Sequence, residues 1–117
     1  MAEESDALDV LFAALANRHR REIIYALALQ PHSITQLADL RGLSLPAIHK
    51  HIAVLEDAGM VVRRKSGRTT FLALERQSLR TLQFWLGEFH AYWGTGAESL
   101  ENYQHYLNQG PPTSPEE

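Results

Sequence analysis

Two short stretches of the chain carry residue types that contact nucleic acids. His49 and Lys50 adjoin in a run whose apolar residues recur at helical spacing, and Arg63, Arg64, Lys65 and Arg68 fall within six residues. Lysine and arginine bind phosphate oxygens or the acceptor edge of guanine, and histidine can donate or accept a hydrogen bond at a base edge. The two stretches therefore predict contact with a polyanion.

The distribution of charge strengthens this prediction. The chain has 117 residues and a net charge of -3, but all eleven Lys and Arg residues lie between positions 18 and 80. The segments 1–17 and 81–117 contain acidic residues and no Lys or Arg. A solvated surface with random charges is one interpretation, but such segregation favours a single basic face that binds a polyanion.

Several classes of protein are excluded by what the sequence lacks. Without cysteine there can be no disulfide, thiolate metal site or cysteine nucleophile. We find no Gly-rich phosphate loop, nucleophile elbow or HExxH motif, so we expect neither an enzyme nor a cofactor. No apolar run approaches the roughly 18 residues that cross a bilayer, so no membrane is expected as a partner. The acidic N-terminus lacks a secretory leader, and we expect the chain in the cytoplasm.

The elements that must position the basic residues are short. Apolar spacing predicts helices over 6–16, 18–29, 34–41 and 45–58, with Asn17, Ser33 and Ser44 as N-caps. Alternation then predicts strands over 61–65 and 69–74 around a Ser66-Gly67 turn. A helical pattern returns at about Gln77, is interrupted at 94–96 and resumes over 97–108. We expect a mainly α fold with a small β-hairpin, forming one domain over 1–108, and a disordered acidic tail over 109–117.

Two helices joined by the tight turn Arg41-Gly42-Leu43, with a basic hairpin after them, predict a winged helix-turn-helix. The second helix of such a pair, here 44–58, enters the major groove, and the hairpin 61–74 is the wing. His51 lies nearer the buried side and is expected to position the helix or reach a phosphate. The expected DNA-binding residues are Ser44, Leu45, Pro46, Ala47, His49, Lys50, His51, Arg63, Arg64, Lys65, Arg68 and Thr69.

Three motifs in order resemble the ArsR family of winged-helix repressors. The run from Leu43 to Val61 is similar to the family's LSQPAVSKHLKVLEEAGLV, and the run from Phe12 to Ile24 to its FKALADPTRRxIL. The basic wing fits as well, and the resemblance covers about residues 8–93. It implies a homodimeric bacterial or archaeal repressor that binds a palindromic operator in double-stranded DNA. Leu45 and His49 stand where the family usually has Gln and Ser, so the operator sequence does not carry over.

A homodimer is also suggested by aromatic residues near the end of the chain. Seven of the ten aromatic residues follow position 83, more than a small winged domain can cover. They could pack on their own domain, but exposed aromatic patches are typical of association sites. We expect the first and last helices to form the dimer interface, through Leu8, Leu11, Phe12, Trp85, Phe89, Tyr92, Trp93, Leu100, Tyr103 and Leu107.

Other interpretations remain beside the repressor. The family includes metal-responsive members, and a His/Glu site on the last helix would draw on Glu88, His90, Glu101 and His105; this mixture is a poor zinc set, and we expect no metal. No effector can be named. A winged-helix module used only for protein docking would predict a less basic wing. The first turn of the predicted helix 18–29 contains Arg18, Arg20 and Arg21. Their positive charge opposes the helix macrodipole, so we expect them either to contact phosphate or to form intramolecular ion pairs.

Overall fold

A computed structural model describes residues 2–93 and 96–109, with side chains for 6–89, 100, 101 and 103–108. Within these residues the chain forms a mainly helical fold with one small sheet. The helices are α1 (Ala2–Leu15), α2 (Arg18–Leu29), α3 (Ile34–Arg41), α4 (Leu45–Asp57), α5 (Arg76–Trp93) and α6 (Gly96–Gln109). The strands are β1 (His32–Ser33), β2 (Val61–Ser66) and β3 (Thr69–Leu74).

The helix boundaries follow from local capping. The side chain of Asn17 accepts a hydrogen bond from the Arg20 amide and starts α2. Ser33 and Gln36 form a capping box at the start of α3, in which each side chain accepts from the other's backbone amide. Ser44 caps α4 in the same way, by accepting from the amide of Ala47. These three caps were predicted, and all three are confirmed.

The turn between α3 and α4 depends on Gly42. This residue has a φ of 64°, a left-handed conformation that residues with a Cβ rarely adopt. Its amide donates to the carbonyl of Asp39, and the next amide, of Leu43, donates to the carbonyl of Ala38. The chain thus leaves α3 sharply and enters α4 after only three residues, which is the predicted helix-turn-helix.

The sheet has three antiparallel strands in the order β1-β3-β2. The predicted hairpin is present, but β2 extends to Ser66, which pairs with Thr69, so Gly67 and Arg68 form the two-residue turn instead of Ser66 and Gly67. Gly67 has a φ of 63°, which two-residue hairpin turns require. The sequence did not predict β1, a two-residue strand held through its pairing with Phe71 and Leu72.

One apolar core organises the part of the chain up to Leu82, which forms a compact unit. Seven of its large side chains are fully buried: Ile23, Leu37, Ile48, Ile52, Leu55, Met60 and Leu72. A second compact unit begins at Gln83. α5 ends at Trp93 and α6 begins at Gly96, in accord with the predicted interruption. Of the predicted tail, Gln109 is the last residue of α6, and 110–117 lie outside the described residues.

Candidate nucleic-acid interface

The helix α4 has one buried face and one open face. Ile48, Ile52 and Leu55 are fully buried and anchor it in the core. Ala47 and His51 are half-buried on its flank. The opposite face and the helix start are exposed, and they carry Ser44, Leu45, Pro46, His49, Lys50 and Ala53. An anchored helix with a polar, partly basic open face is able to enter a DNA groove without disturbing the core.

The wing presents further cations. Arg64, Lys65, Arg68 and Thr69 are all exposed, and Arg68 lies in the two-residue turn at the tip of the hairpin. Because side chains alternate along a strand, Arg64 and Lys65 point to opposite faces of β2. Their cross-strand partners are Phe71 and Thr70. The hairpin can therefore offer positive charge to a phosphate backbone on both of its faces and at its tip.

Arg63 has a different role from the one the sequence predicted. Its Nε and Nη2 atoms each donate to a carboxylate oxygen of Glu56 at 2.9 Å, which is a bidentate ion pair between β2 and the last turn of α4. The hydrogen bond to Glu56 raises the pKa of Arg63. A guanidinium committed to a carboxylate in this way supplies little charge to DNA, so we remove Arg63 from the expected contacts. Seven residues separate the pair, and the tertiary fold brings them together.

Arg20 and Arg21 also differ from expectation. The guanidinium of Arg20 donates to the carbonyls of Ala13 and Ala14, and that of Arg21 to the carbonyl of Leu15 at 2.8 Å. These are carbonyls of the last turn of α1, which has no later turn of helix to satisfy them. These bonds are neither phosphate contacts nor intramolecular ion pairs, which were the two uses that the sequence predicted. Both arginines cap the preceding helix, where positive charge complements the macrodipole.

Four basic side chains meet behind α4, and we call them the histidine–arginine cluster: His19, Arg20, Arg41 and His51. Arg41 Nε donates to His19 Nδ1 at 3.2 Å, and Arg20 Nη1 lies 3.4 Å from His51 Nδ1. The two imidazole rings are 5.5 Å apart between centroids. Burial, followed by the charge of Arg20 and then by His19, lowers the pKa of His51. Sequence reasoning predicted that His51 positions the helix or reaches a phosphate, but it missed the contacts among the four side chains, which are tertiary.

The candidate dimer residues fall into three groups. Leu11 is buried in the core of its own unit, so we remove it from the expected interface, and Leu8 is half-buried. Phe12, Phe89, Leu100, Tyr103 and Leu107 are exposed by 42–62%. Trp85 is half-buried, with its ring 4.8 Å from that of Phe89 between centroids. The side chains of Tyr92 and Trp93 lie outside the described residues.

Several exposed apolar residues were not anticipated from the sequence. Val10 on α1, and Phe84 and Leu86 on α5, are exposed by 48%, 74% and 60%. None of the three is among the residues expected at the dimer interface. Helical periodicity tells which side chains share a face, and only the fold tells whether that face is covered.

The four candidate metal ligands do not form a metal site in the described part of the chain. Glu88, Glu101 and His105 are exposed, and the His90 side chain lies outside the described residues. Among the described residues, no three His, Cys, Asp or Glu side chains are grouped so that they could hold a metal ion. In that same part of the chain, no helix has both the length and the apolar character needed to cross a membrane.

Comparison with known proteins gives a consistent result. The family model described as "Bacterial regulatory protein, arsR family" matches residues 17–62. A curated relative, the HTH-type transcriptional regulator KmtR of Mycobacterium tuberculosis, is 33% identical over 72 residues, which are 62% of this chain and 55% of KmtR. The matched region thus spans little more than half the length of that relative.

Solved structures extend the likeness to most of the chain. The crystal structure of an ArsR family transcriptional regulator is 32% identical, with a TM-score of 0.69 over 78% of this chain and 94% of that one. The solution structure of a homodimeric winged helix-turn-helix DNA-binding domain from Mycobacterium bovis, a possible ArsR-family regulator, is 21% identical. Its TM-score is 0.63 over 76% of this chain and 84% of that one, a likeness of fold alone.

Proposed function

Because the chain belongs to the ArsR family of bacterial transcriptional regulators, we propose that it binds a palindromic operator as a homodimer and represses transcription from it. The main contacts in this proposal are made by the recognition helix, Ser44 to Ala58, and by the wing, Val61 to Leu74. The chain acts in the cytoplasm, on double-stranded DNA, and catalyses no reaction. No group of side chains in the described residues favours the metal-responsive alternative, and the exposed cations of the wing disfavour a module used only for protein docking.

The open face of α4 is the observation that carries this proposal. Ile48, Ile52 and Leu55 fix the helix in the core, so that His49 and Lys50 are held outward on a rigid element. Lysine supplies a donor for a phosphate or for the guanine edge, and His49 can donate or accept at a base. Sequence readout requires such fixed donors at base edges, whereas phosphate contacts from the wing add affinity without selecting a sequence.

The apolar exposure of α5 and α6 supports the homodimer. Phe84, Leu86 and Phe89 on α5, and Leu100 and Leu107 on α6, are each exposed by more than half. Covering such side chains removes apolar surface from water, at roughly 25 cal/mol per Å². A similar fold that is titled homodimeric points the same way. Two-fold symmetry would place two recognition helices about 34 Å apart, one turn of DNA, and would match a palindromic operator.

The test is a competition experiment at about 150 mM salt. Labelled DNA from the promoter of the chain's own gene is bound, and unlabelled promoter or scrambled fragment of equal length is added. We expect the promoter fragment to compete at least about a hundredfold better, because specific binding exceeds non-specific binding by a large factor. Equal competition by both fragments would contradict sequence-specific binding at this promoter.

The direction of regulation needs a separate experiment. A dimer seated on an operator that overlaps a promoter occludes it, so removal of the gene should raise expression of a reporter fused to that promoter. Lower expression after removal would overturn the repressor part of the proposal and leave the DNA-binding part intact. A variant with Lys50→Ala and Arg64→Ala should reproduce the effect of the deletion.

A further inference from the structure

We infer that the histidine–arginine cluster is a binding site for a phosphate of the DNA backbone, and that this site makes DNA binding proton-linked. The inference rests on the proposed function, because it names a further contact of the same DNA. It concerns half-buried side chains on the flank of α4, next to its open face. Three helices supply them: His19 and Arg20 come from α2, Arg41 from α3 and His51 from α4.

The cluster contains positive charge without a balancing carboxylate. Among the described residues, α1 gives Arg20 the carbonyls of Ala13 and Ala14, and α2, α3 and α4 supply the four basic side chains. In the described part of the chain, none of the four has an ion pair with an acidic residue; the acid Glu56 pairs with Arg63 instead. Grouped cations that lack a counter-charge are stabilised by an anion, and phosphate suits planar guanidinium donors well.

Donors for that phosphate are available at Arg41. A guanidinium has five N–H groups, and the described hydrogen bond to His19 uses only the one on Nε. The four on its Nη atoms can therefore serve another acceptor. Arg41, His19 and His51 are each half-buried, so they are partly shielded from water and still reachable. His51 lies about 100° around α4 from the exposed Lys50, on the half-buried flank that adjoins the open face, so the cluster borders the face proposed to meet DNA.

The hydrogen bonds fix the state of the histidines before DNA binds. Arg41 Nε donates to His19 Nδ1, so that nitrogen is the acceptor of this bond. His51 Nδ1 faces Arg20 Nη1, which can only donate. In the free chain, burial, Arg20 and His19 all lower the pKa of His51. A phosphate nearby has the opposite effect, because an anion favours the protonated ring.

The sign of the pH effect follows from this difference. The pKa of His51 lies below its ordinary value of about 6.5 in the free chain and rises in the complex, so the complex binds more protons. Affinity for DNA therefore rises as the pH falls through the range between the pKa of His51 in the complex and its lower pKa in the free chain. A pKa rise of one unit gives up to about a tenfold gain in affinity for each His51, of which the dimer carries two, once the pH lies below both pKa values.

The experiment measures the affinity of the full chain for its promoter DNA at pH 8 and pH 5.5. His51→Gln keeps an acceptor for Arg20 but cannot be protonated, and His105→Gln removes an exposed histidine on α6 as the matched control. We expect wild type and the His105 variant to gain more affinity on acidification than the His51 variant does, by up to about tenfold for each protomer of the dimer. An equal gain in all three proteins would overturn the inference.

Salt dependence tests the phosphate contact itself. Arg41→Gln should make the slope of log K against log salt less steep by about two, since each phosphate contact contributes about -0.9 and the dimer loses one contact from each protomer. Arg80→Gln removes an exposed arginine of α5 and should leave the slope unchanged. If the two arginine variants behave alike, the cluster does not bind phosphate, while the preference of wild type for its promoter would still support the proposed function.

A measurement without substitution guards against misfolded variants. Titration of the His51 ring by NMR in wild-type protein should give a higher pKa with operator DNA than without it. An unchanged pKa would overturn the inference even if DNA binds specifically. Absence of any preferential DNA binding by wild type, in contrast, would overturn the proposed function and this inference with it.

Discussion

The two compact units of this chain differ in how many of their large apolar side chains they bury. Up to Leu82, large residues such as Ile48, Ile52 and Leu72 are fully buried, and the exposed face of α4 and the wing carry charge. From Gln83 onward, most of the described large apolar residues are exposed: Phe84, Leu86, Phe89, Leu100, Tyr103 and Leu107. The first unit therefore has its own core, whereas the second leaves apolar surface that a partner can cover.

Within the first unit, the basic side chains are of two kinds. Arg20, Arg21 and Arg63 are held by groups of the chain itself, namely helix-end carbonyls and Glu56. Lys50 and Arg64 are exposed. A high density of basic residues thus serves both folding and binding, and only the contacts of each side chain tell the two uses apart.

The largest effect is expected where the first unit is packed. Ile52→Ala should lower the free energy of unfolding by about 2–5 kcal/mol, because it removes buried methyl groups and leaves a cavity. Leu29→Ala, at a position that is 86% exposed, should change it by no more than about 0.5 kcal/mol. Denaturant titration measures both. Equal losses in the two variants would contradict the assignment of the core.

The open basic face gives the next largest effect. Lys50→Ala combined with Arg64→Ala should weaken operator binding by about 2–4 kcal/mol, roughly thirty- to a thousandfold, through lost base and phosphate contacts. The paired control is Arg76→Ala with Arg80→Ala, which removes the same charge from α5. Fluorescence anisotropy measures the affinities, and sedimentation checks that the dimer persists. Unchanged operator affinity in the first variant would refute the assigned DNA-binding face.

Substitutions in the second unit should weaken self-association of the chain. Leu86→Asp combined with Phe89→Asp places two charges on the exposed apolar face of α5, and we expect the dimer to weaken by at least about 2 kcal/mol, near thirtyfold. Tyr25→Asp with Leu40→Asp makes the same kind of change at exposed apolar positions of α2 and α3 and should leave the dimer intact. Sedimentation equilibrium measures the association. A monomeric wild type would contradict the homodimer itself.

The smallest effect distinguishes neighbouring arginines of the wing. Arg64→Ala should make the salt slope of DNA binding less steep by about two, as expected when each protomer of the dimer loses one phosphate contact. Arg63→Ala should leave that slope nearly unchanged, because Glu56 already neutralises the guanidinium. If both variants lose the same slope, the ion pair opens when DNA binds and Arg63 belongs to the contact surface after all.

Sequence reasoning succeeded where the determinant is local. The N-caps Asn17, Ser33 and Ser44 and the left-handed Gly42 are set by a few adjacent residues, and they fixed the helix boundaries correctly. Helical spacing likewise identified the buried face of α4. The start of α1 was placed too late, at residue 6, although the structure begins it at Ala2.

What the sequence could not predict depends on contacts between distant residues. β1 is only two residues long and exists through its pairing with Phe71 and Leu72. The partners of Arg63 and Arg20 lie on other elements. Leu11 shares helical spacing with exposed neighbours, but the packing of α1 buries it. In each case the type of residue is compatible with several roles, and contacts with distant parts of the chain determine which role it has.

The central claim is that two copies of the exposed α4 face read one palindromic site. Footprinting of the promoter fragment at single-nucleotide resolution tests it most directly. We predict two protected half-sites related by a two-fold axis, with centres one helical turn, about 10 base pairs, apart or a multiple of that distance. One unbroken protected stretch without two-fold symmetry, or uniform weak protection along the whole fragment, would contradict the claim.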